Sequence, residues 1–445
     1  MRAADTIVAQ ATPPGTGGVG IVRISGDRAE EIARGMLGSL PQPRVATYFT
    51  FRNGGGEPLD SGLALYFPAP ASYTGEPVVE LHGHGGPVVM STLVDAVVAL
   101  GARRAEPGEF SQRAFLNDKL DLAQAEAIAD LIGSGTAQAA RAALRSLSGA
   151  FSDAVNELIE QLTALRGYVE AAIDFPEEEI DFLSDDDLTK RLEVCGESFA
   201  RLVSDATVGR VLRDGYRVVI VGKPNAGKSS LLNRLSGEET AIVTEVAGTT
   251  RDVLRESINV DGLAVELVDT AGLRDDPDRI EEEGIRRARN AMANADAVLW
   301  IQDATRCTDD TIDEELPRDV PVTIVRNKID LTGDTPGLRA GDQPVVSLSA
   351  KTGEGLGALR QHIRSQAGFR DLGEGAFTAR RRQVEALKRA AQHFKAGRDA
   401  LEKARAGELL AEELRMSQEA LGEITGAVSS DDLLGRIFSD FCIGK

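Results

Sequence analysis

Residues 222–229 read GKPNAGKS, which matches the phosphate-loop pattern GxxxxGK[ST]. The apolar run 217–221 (RVVIV) precedes it, and a helix-forming segment, 230–235, follows it. Glycines between a strand and a helix let backbone N–H groups turn towards a phosphate at the helix N-terminus. Lys228 is therefore predicted to reach the β- and γ-phosphates of a nucleotide, and the Ser229 hydroxyl to ligate Mg²⁺.

Three more short motifs each follow an apolar segment: DTAG at 269–272, NKID at 327–330 and SAK at 349–351. An acidic residue at 269 can hold the metal through water, and the N–H of Gly272 can contact the γ-phosphate. The Asp330 carboxylate can accept two hydrogen bonds from the ring N–H and the amine of guanine, a donor pair that adenine lacks. Four motifs in this order resemble the GTPase domain of the Ras-like superfamily.

A switch segment is predicted at 244–252 (TEVAGTTRD), between the phosphate loop and DTAG. Thr250 is the predicted Mg²⁺ ligand that closes on the metal when triphosphate is bound, with Thr249 as the alternative. The predicted GTP contacts come from the phosphate loop, the switch and the three motifs: Asn225, Ala226, Gly227, Lys228, Ser229, Ser230, Thr244, Glu245, Val246, Ala247, Gly248, Thr249, Thr250, Asp269, Thr270, Ala271, Gly272, Asn327, Lys328, Ile329, Asp330, Ser349, Ala350 and Lys351.

Leu273 follows the DTAG motif where Ras-type enzymes carry a water-orienting glutamine. Hydrolysis must then be organised in another way. A monovalent cation between the phosphates would neutralise developing charge, and the Asn225 side chain is a suitable oxygen donor for it.

The chain has 445 residues, so two or three domains are expected. Its net charge is −20, and contact with nucleic acid must therefore be local or be supplied mainly by a partner. Three scattered cysteines exclude a disulfide framework. No apolar run approaches the ~20 residues of a membrane span, and the N-terminus lacks an apolar signal region, so a cytoplasmic protein without membrane association is expected.

The composition changes three times along the chain, which predicts a multidomain fold with α+β, all-α and α/β parts. Short β-branched runs (21–24, 64–67 and 78–81) alternate with turns in the first part, and Gly83, Gly85 and Gly86 are expected to break the chain before a helix at 88–100. Strand-and-helix alternation marks the α/β part, and Ala/Leu/Glu/Arg-rich helices flank it. The predicted divisions are an N-terminal domain (1–117), a helical domain in two parts (118–210 and 371–445) and an inserted GTPase domain (211–370).

Motifs outside the GTPase pattern make the resemblance more specific: DTIVA at 5–9, GIVRISG at 20–26, ELHGHGG at 80–86, LNDKLDLAQAE at 116–126, GTTRD at 248–252 and FCIGK at 441–445. Together they resemble the MnmE (TrmE) family of tRNA-modification GTPases over essentially the full length. The resemblance implies a tetrahydrofolate-binding-like N-terminal domain that forms a homodimer, a helical domain and an inserted GTPase domain. It also implies a heterotetramer with the FAD-dependent partner MnmG, which adds an aminomethyl or carboxymethylaminomethyl group to carbon five of the wobble uridine of certain tRNAs.

The same resemblance implies a set of site residues. Formyl-tetrahydrofolate is assigned to Arg23, Glu80, Lys119 and Lys445; K⁺ to Asn225, Thr244, Val246 and Thr249; Mg²⁺ to Ser229 and Thr250; and orientation of the attacking water to Glu281. Independently of the resemblance, Lys228 of the phosphate loop and the Cys442 thiol are further catalytic candidates by their chemistry. By its chemistry, a folate tail carries carboxylates that Arg or Lys can pair with, and a pterin offers paired N–H donors to a carboxylate such as Glu80.

Some of these residues also allow a plainer interpretation. Glu281 begins an acidic run with Glu282 and Glu283 that is typical of a solvated helix start, and register alone selects the first. A nearby Lys445 would lower the pKa of Cys442 and favour the thiolate, but a free cysteine is more often inert. Two other functions stay open: a regulatory GTPase of ribosome assembly, which shares the GTPase motifs, and an N-terminal folate enzyme that works alone.

Overall fold

The computed structural model describes residues 5–174, 186–223, 225–238, 255–269, 295–306, 320–369, 375–428, 431–439, 441 and 443–444. These form two compact units, Met1–Ala129 with Arg415–Lys445, and Asp130–Leu414. No helix among the described residues is both long and apolar enough to cross a membrane.

The described helices, numbered in chain order, are α1 (Ala29–Leu37), α2 (Pro87–Ala99), α3 (Glu109–Leu116), α4 (Leu122–Ile132), α5 (Ala137–Leu147), α6 (Ala150–Asp174), α7 (Asp186–Asp214), α8 (Lys228–Glu238), α9 (Leu356–Gln366), α10 (Arg381–Ala404), α11 (Gly407–Thr425) and α12 (Asp431–Ser439). The described strands are β1 (Ile7–Gln10), β2 (Gly17–Ser25), β3 (Thr47–Arg52), β4 (Pro58–Phe67), β5 (Val78–Gly85), β6 (Arg103–Arg104), β7 (Tyr216–Gly222), β8 (Arg255–Val260), β9 (Leu263–Asp269), β10 (Ala297–Asp303), β11 (Val322–Asn327), β12 (Gly337–Arg339) and β13 (Val345–Ser347).

The first unit contains a six-stranded sheet in the order β3-β4-β5-β2-β1-β6. Its strands pair antiparallel except β1 with β6. Apolar side chains of this sheet pack against α1 and α2 in a core that includes Ile24, Ile32, Leu81 and Leu93, all 1% exposed or less. The prediction of an α+β fold for this part is confirmed.

The predicted break before the helix falls at Gly86, but the prediction is wrong for Gly83 and Gly85, which do not break the strand. Strand β5 runs through Gly83 and Gly85, and α2 begins directly afterwards at Pro87. A Cβ on Gly85 would lie 2.7 Å from the carbonyl oxygens of Gly17 and Val19 on the neighbouring strand. These glycines therefore permit close strand pairing, a use that turn propensity does not reveal.

The second unit contains a seven-stranded sheet in the order β12-β13-β11-β10-β7-β9-β8. Strands β7, β9, β10, β11 and β13 pair in parallel, and β8 and β12 add antiparallel edges. The alternating pattern predicts this α/β fold. The two edge strands, β8 and β12, lie outside that pattern.

The inserted position of the α/β part is visible where the chain enters and leaves it. Asp130 in α4 accepts hydrogen bonds from Arg213 at 2.8 Å and from Arg380 at 2.7 Å. Arg213 lies just before β7 and Arg380 just before α10. A single buried carboxylate thus joins the incoming and the outgoing segment, as an insertion into a helical domain requires.

Candidate functional site

The phosphate loop connects β7 to α8, with Gly222 at the end of the strand and Lys228 at the start of the helix. Gly227 has a φ of +98°, and a Cβ there would lie 2.1 Å from Nδ2 of Asn327. Only glycine fits this approach without a shift of the loop. Gly227 is therefore required by the conformation of the loop and by its close packing against the NKID motif (327–330). NKID and SAK (349–351) are together called the guanine-side motifs below.

A buried amide ties three of the sequence motifs together. Asn327 donates from Nδ2 to the carbonyl of Ala226 at 2.9 Å, and its Oδ1 accepts from the N–H of Ala350 at 2.9 Å. The phosphate loop, NKID and SAK thus meet at the carboxyl ends of β7, β11 and β13. This is the edge of a parallel sheet where ligands bind in open α/β folds.

The Asp330 carboxylate is exposed and is oriented by a buried neighbour. Ser349 donates from Oγ to Asp330 Oδ1 at 2.7 Å, and the N–H of Thr352 donates to the same hydroxyl at 3.2 Å. Ile329 beside Asp330 is buried and anchors the short turn that carries the carboxylate, whereas Lys351 is exposed. An oriented and accessible carboxylate can accept the paired N–H donors of guanine.

The phosphate-loop lysine is turned over the loop. Lys228 is buried and donates from Nζ to the carbonyls of Gly222 at 2.8 Å and Lys223 at 3.0 Å. Ser229 and Ser230 are exposed in the first turn of α8. A lysine ammonium and a serine hydroxyl thus lie at a helix N-terminus. The ammonium can pair with a phosphate there, and the hydroxyl oxygen can ligate the Mg²⁺ of the nucleotide.

Lys328 of the NKID motif crosses to the phosphate loop. Its Nζ donates to the carbonyl of Asn225 at 2.7 Å and to Oδ2 of Asp303 at 2.7 Å. The hydrogen bond from Lys328 lowers the pKa of Asp303 to about 2, so this carboxylate is ionised at neutral pH. Sequence reasoning missed Asp303, although an acidic residue at the end of the apolar run 297–301 was an available signal.

Several predicted site residues lie outside the described residues: Thr244, Glu245, Val246, Ala247, Gly248, Thr249, Thr250, Thr270, Ala271, Gly272, Glu281, Cys442 and Lys445. Asp269 is described only as the last residue of β9. The predicted metal ligands of the switch and the predicted catalytic glutamate therefore stay predictions.

A second group of predicted residues meets in the first unit. Arg23 and Glu80 are direct partners in the β2–β5 pairing, and Arg23 donates from Nε to Glu80 Oε1 at 2.8 Å. His82 Nε2 lies 3.1 Å from the other Glu80 oxygen. The Arg23 guanidinium lies over the rings of Tyr73 and Phe110, at 5.3 and 5.8 Å from their centroids. The result is a charged, partly exposed pair against an aromatic wall.

The C-terminal tail reaches this pair. Phe438 of helix α12 and Phe441, two residues beyond the helix, pack in one apolar cluster with Leu122 of α4. Beyond it, the carbonyl of Gly444 accepts a hydrogen bond from the Arg23 guanidinium at 3.4 Å. Residues 421 positions apart along the chain are thereby joined.

Lys119 lies beside the loop that carries Tyr73. A Cβ on Gly75 would lie 3.4 Å from Cγ of Lys119, whose side chain is exposed. Asn117 fixes this approach by donating from Nδ2 to the carbonyl of Thr74 at 2.7 Å. Lys119 therefore lies next to the loop 73–76, which Arg23 contacts through Tyr73.

Two family models together match most of the chain. The model for the GTP-binding protein TrmE N-terminus matches residues 6–119, and the model for the MnmE helical domain matches residues 122–442. The chain belongs to the MnmE family of tRNA-modification GTPases. This MnmE-family chain is accordingly a GTP hydrolase of the tRNA-modification class, and its α/β part is the inserted P-loop GTPase domain.

Individual relatives match along their whole length. The tRNA modification GTPases MnmE of Yersinia pseudotuberculosis serotype IB and of Erwinia tasmaniensis are each 56% identical over 455 aligned residues, covering 100% of both chains. Among solved structures, the G domain of the T. maritima FeoB iron transporter covers 34% of this MnmE-family chain and 98% of its own, with 23% identity and a TM-score of 0.25. A TM-score this low adds nothing to the family assignment.

Proposed function

We propose that this GTPase is activated by potassium and that hydrolysis drives pairing and separation of the GTPase domains of a homodimer. Support comes from the exposed Asn225 side chain on the phosphate loop, from Leu273 in place of a water-orienting glutamine, and from membership of the MnmE family. K⁺ would be held by Asn225 with Thr244, the Val246 carbonyl and Thr249. When bound, it supplies positive charge where the transition state accumulates negative charge.

Mg²⁺ is assigned to Ser229 and Thr250, and the attacking water to Glu281. The exposed Ser229 hydroxyl at the start of α8, next to the buried Lys228 ammonium, fits a metal bound to triphosphate oxygens. Asp330 and Lys328 select guanine, and Cys442 is kept as a candidate for the modification chemistry.

The proposed one-carbon compound is a formylated tetrahydrofolate bound in the N-terminal domain. The Arg23–Glu80 pair beside the partly exposed Tyr73 suits a ligand with a flat ring and a carboxylate tail, because it combines aromatic surface with both signs of charge. Lys119 and Lys445 would complete the site. The Gly444 contact supports the assignment of Lys445, which is the next residue.

The partner is proposed to be the FAD-dependent MnmG, in a heterotetramer that adds the aminomethyl or carboxymethylaminomethyl group to wobble uridine of tRNA. With a net charge of −20, this chain would leave much of the RNA-binding surface to that partner. The complex is assigned to the cytoplasm. The proposed domain boundaries lie after residues 117, 210 and 370.

One observation carries the GTPase half of the proposal: Asn327 joins the phosphate loop to the guanine-side motifs through two hydrogen bonds of 2.9 Å. The test is nucleoside analysis of tRNA after reconstitution with the FAD-dependent partner, comparing wild type with Lys228→Ala. We expect the variant to lose GTP hydrolysis and the modified wobble uridine together. Lys388→Ala, the same change at an exposed position of α10, is the matched control and should retain both.

Two results would contradict the proposal. The first is GTPase activity that is equal in K⁺ and Na⁺ and independent of protein concentration. The second is comigration with ribosomal subunits on sucrose gradients combined with normal wobble uridines in a deletion strain. That second result would favour a regulatory GTPase of ribosome assembly.

A further inference from the structure

Asp303 ends β10 directly opposite Asn327, its partner in the parallel β10–β11 register. The N–H of Ala304, the next residue, donates to the carbonyl of Asn327 at 2.8 Å. The Asp303 carboxylate is therefore fixed at the sheet edge where the phosphate loop and the guanine-side motifs meet. Its side chain is only 13% exposed.

Each Asp303 oxygen has its own donors. Oδ2 accepts from Lys328 Nζ at 2.7 Å, and Oδ1 accepts from the Thr305 N–H at 3.0 Å and from the Thr305 hydroxyl at 2.7 Å. The backbone N–H of Thr305, which a change of its side chain leaves in place, holds the carboxylate in one orientation, and the hydroxyl adds a second bond to the same oxygen. That orientation places the second oxygen on the lysine ammonium, where a charge-assisted hydrogen bond forms.

Lys328 carries this restraint to the phosphate loop. Its ammonium also donates to the carbonyl of Asn225 at 2.7 Å. Lys328 and Asn225 both have left-handed backbones, with φ of +70° and +65°. Non-glycine residues keep such conformations only where surrounding contacts hold them. The two residues are joined by one hydrogen bond, so the contact that holds the lysine also restrains the asparagine.

We propose that Asp303 is a positioning residue of the GTP site, which holds Lys328 for guanine binding and, through Lys328, fixes the backbone of Asn225 so that its side chain is directed for the monovalent cation. The part that concerns the cation rests on the proposed function. The part that concerns guanine nucleotide binding does not, because a GDP complex tests it without potassium.

Asp303→Asn is the decisive variant. It keeps the size of the side chain and an oxygen for Thr305, but it removes the negative charge that faces the Lys328 ammonium. With one of its two hydrogen bonds lost, the Lys328 side chain regains rotamer freedom, which must be lost again on binding. We expect the dissociation constant for a fluorescent GDP analogue to rise about tenfold or more, and the potassium concentration for half-maximal GTPase activity to rise severalfold.

Thr305→Val is the matched control, because it removes the hydroxyl that contacts Asp303 and leaves the carboxylate on Lys328. It should change both quantities less than about twofold. Asp303→Glu retains the charge and should lose less affinity than Asp303→Asn. Thermal unfolding followed by the fluorescence of Trp300, the single tryptophan and a residue of β10, checks that each variant is folded.

Unchanged GDP affinity in Asp303→Asn overturns the positioning role, and so does an equal loss in Thr305→Val, which would make the aspartate a mere cap of the turn. Weaker GDP binding with an unchanged potassium requirement overturns the link to Asn225. If the wild-type enzyme itself shows no potassium stimulation, the proposed function fails, while the GDP comparison still decides the role of Asp303 in nucleotide binding. Should Asp303→Asn fail to fold, Asp303→Ser, which also removes the carboxylate, takes its place: a loss of GDP affinity no larger than that of Thr305→Val overturns the role.

Discussion

The hydroxyl of Ser146 makes hydrogen bonds in both directions with the backbone of Thr378. It donates to the Thr378 carbonyl at 3.0 Å and accepts from the Thr378 N–H at 2.9 Å. Both residues are buried, and they are 232 positions apart. Ser146 belongs to α5, and Thr378 follows the inserted domain, so this contact fastens the outgoing chain to the helical part.

Ser146→Ala leaves two buried backbone groups of Thr378 without this partner. The cost of such groups is about 1–3 kcal/mol, so the free energy of unfolding of the second unit should fall by that amount. Ser148→Ala is the control, because the exposed Ser148 hydroxyl only contacts the carbonyl of Leu144 one turn earlier. Calorimetry of both variants checks the prediction, and equal transition temperatures for the two would contradict it.

Gly209→Ala should destabilise the same junction by overpacking. A Cβ at Gly209 would lie 2.5 Å from the carbonyl oxygen of Phe377 and 3.1 Å from the N–H nitrogen of Ala379. Overpacking of this kind typically costs about 1–3 kcal/mol. In the same helix, a Cβ at Gly196 would meet its nearest neighbour at 3.6 Å, and Gly196→Ala should be neutral or stabilise by up to about 1 kcal/mol. The urea concentrations at the unfolding midpoints of the two variants should therefore shift in opposite directions, or that of Gly209→Ala should fall clearly further.

Gly444→Ala should weaken folate binding and leave GTP hydrolysis unchanged. Gly444 has a φ of +93°, and a Cβ there would lie 2.2 Å from the carbonyl oxygen of Gln10. The tail must then move away from β1, and its hydrogen bond with Arg23 is lost. Titration with formyl-tetrahydrofolate should show about tenfold weaker binding, the equivalent of losing one charged hydrogen bond.

Gly435→Ala is the control for the tail, because no atom lies within 4 Å of a Cβ at that position. It should bind folate as the wild type does. Normal folate affinity in Gly444→Ala would remove the tail from the proposed folate site.

Acidification should destabilise the GTPase domain through His362. Burial lowers the pKa of His362, whose ring lies 2.9 Å from the buried Thr323 hydroxyl. The unfolded chain, with a histidine pKa of about 6.5, therefore takes up a proton that the folded domain resists. The stability is fully present above pH ~6.5 and declines as the pH falls below that value towards the lowered folded pKa.

His362→Gln removes this titration and keeps a polar partner for Thr323. Unfolding followed by Trp300 fluorescence should depend less on pH between about 7.5 and 5.5 in this variant than in the wild type. His84→Gln, at an imidazole of the first unit that is 71% exposed, should leave the pH dependence of the Trp300 transition as it is. An unaltered slope in His362→Gln would show that another group is responsible.

Much of the fold was predictable because strand period and motif order are local properties. The run before the phosphate loop and the runs before NKID and SAK become β7, β11 and β13 in the same parallel sheet. Strands β8 and β12 were not predicted, since short edge strands carry little apolar pattern and form by pairing with a neighbour. The course of β5 through Gly83 and Gly85 was also not predicted. A glycine that permits close approach of two strands and a glycine that ends a strand look alike in a sequence.

The chemistry of the nucleotide site follows from the order of amino acids, because phosphate and guanine recognition require particular residue types at fixed spacing along one chain. Which distant residues cooperate depends on the folded structure: Asp303 with Lys328, Asp130 with Arg213 and Arg380, and Gly444 with Arg23. Such pairs depend on strand order and on where separate segments dock. Directional hydrogen bonds over less than 3.5 Å select among many charged residues that are equivalent in sequence.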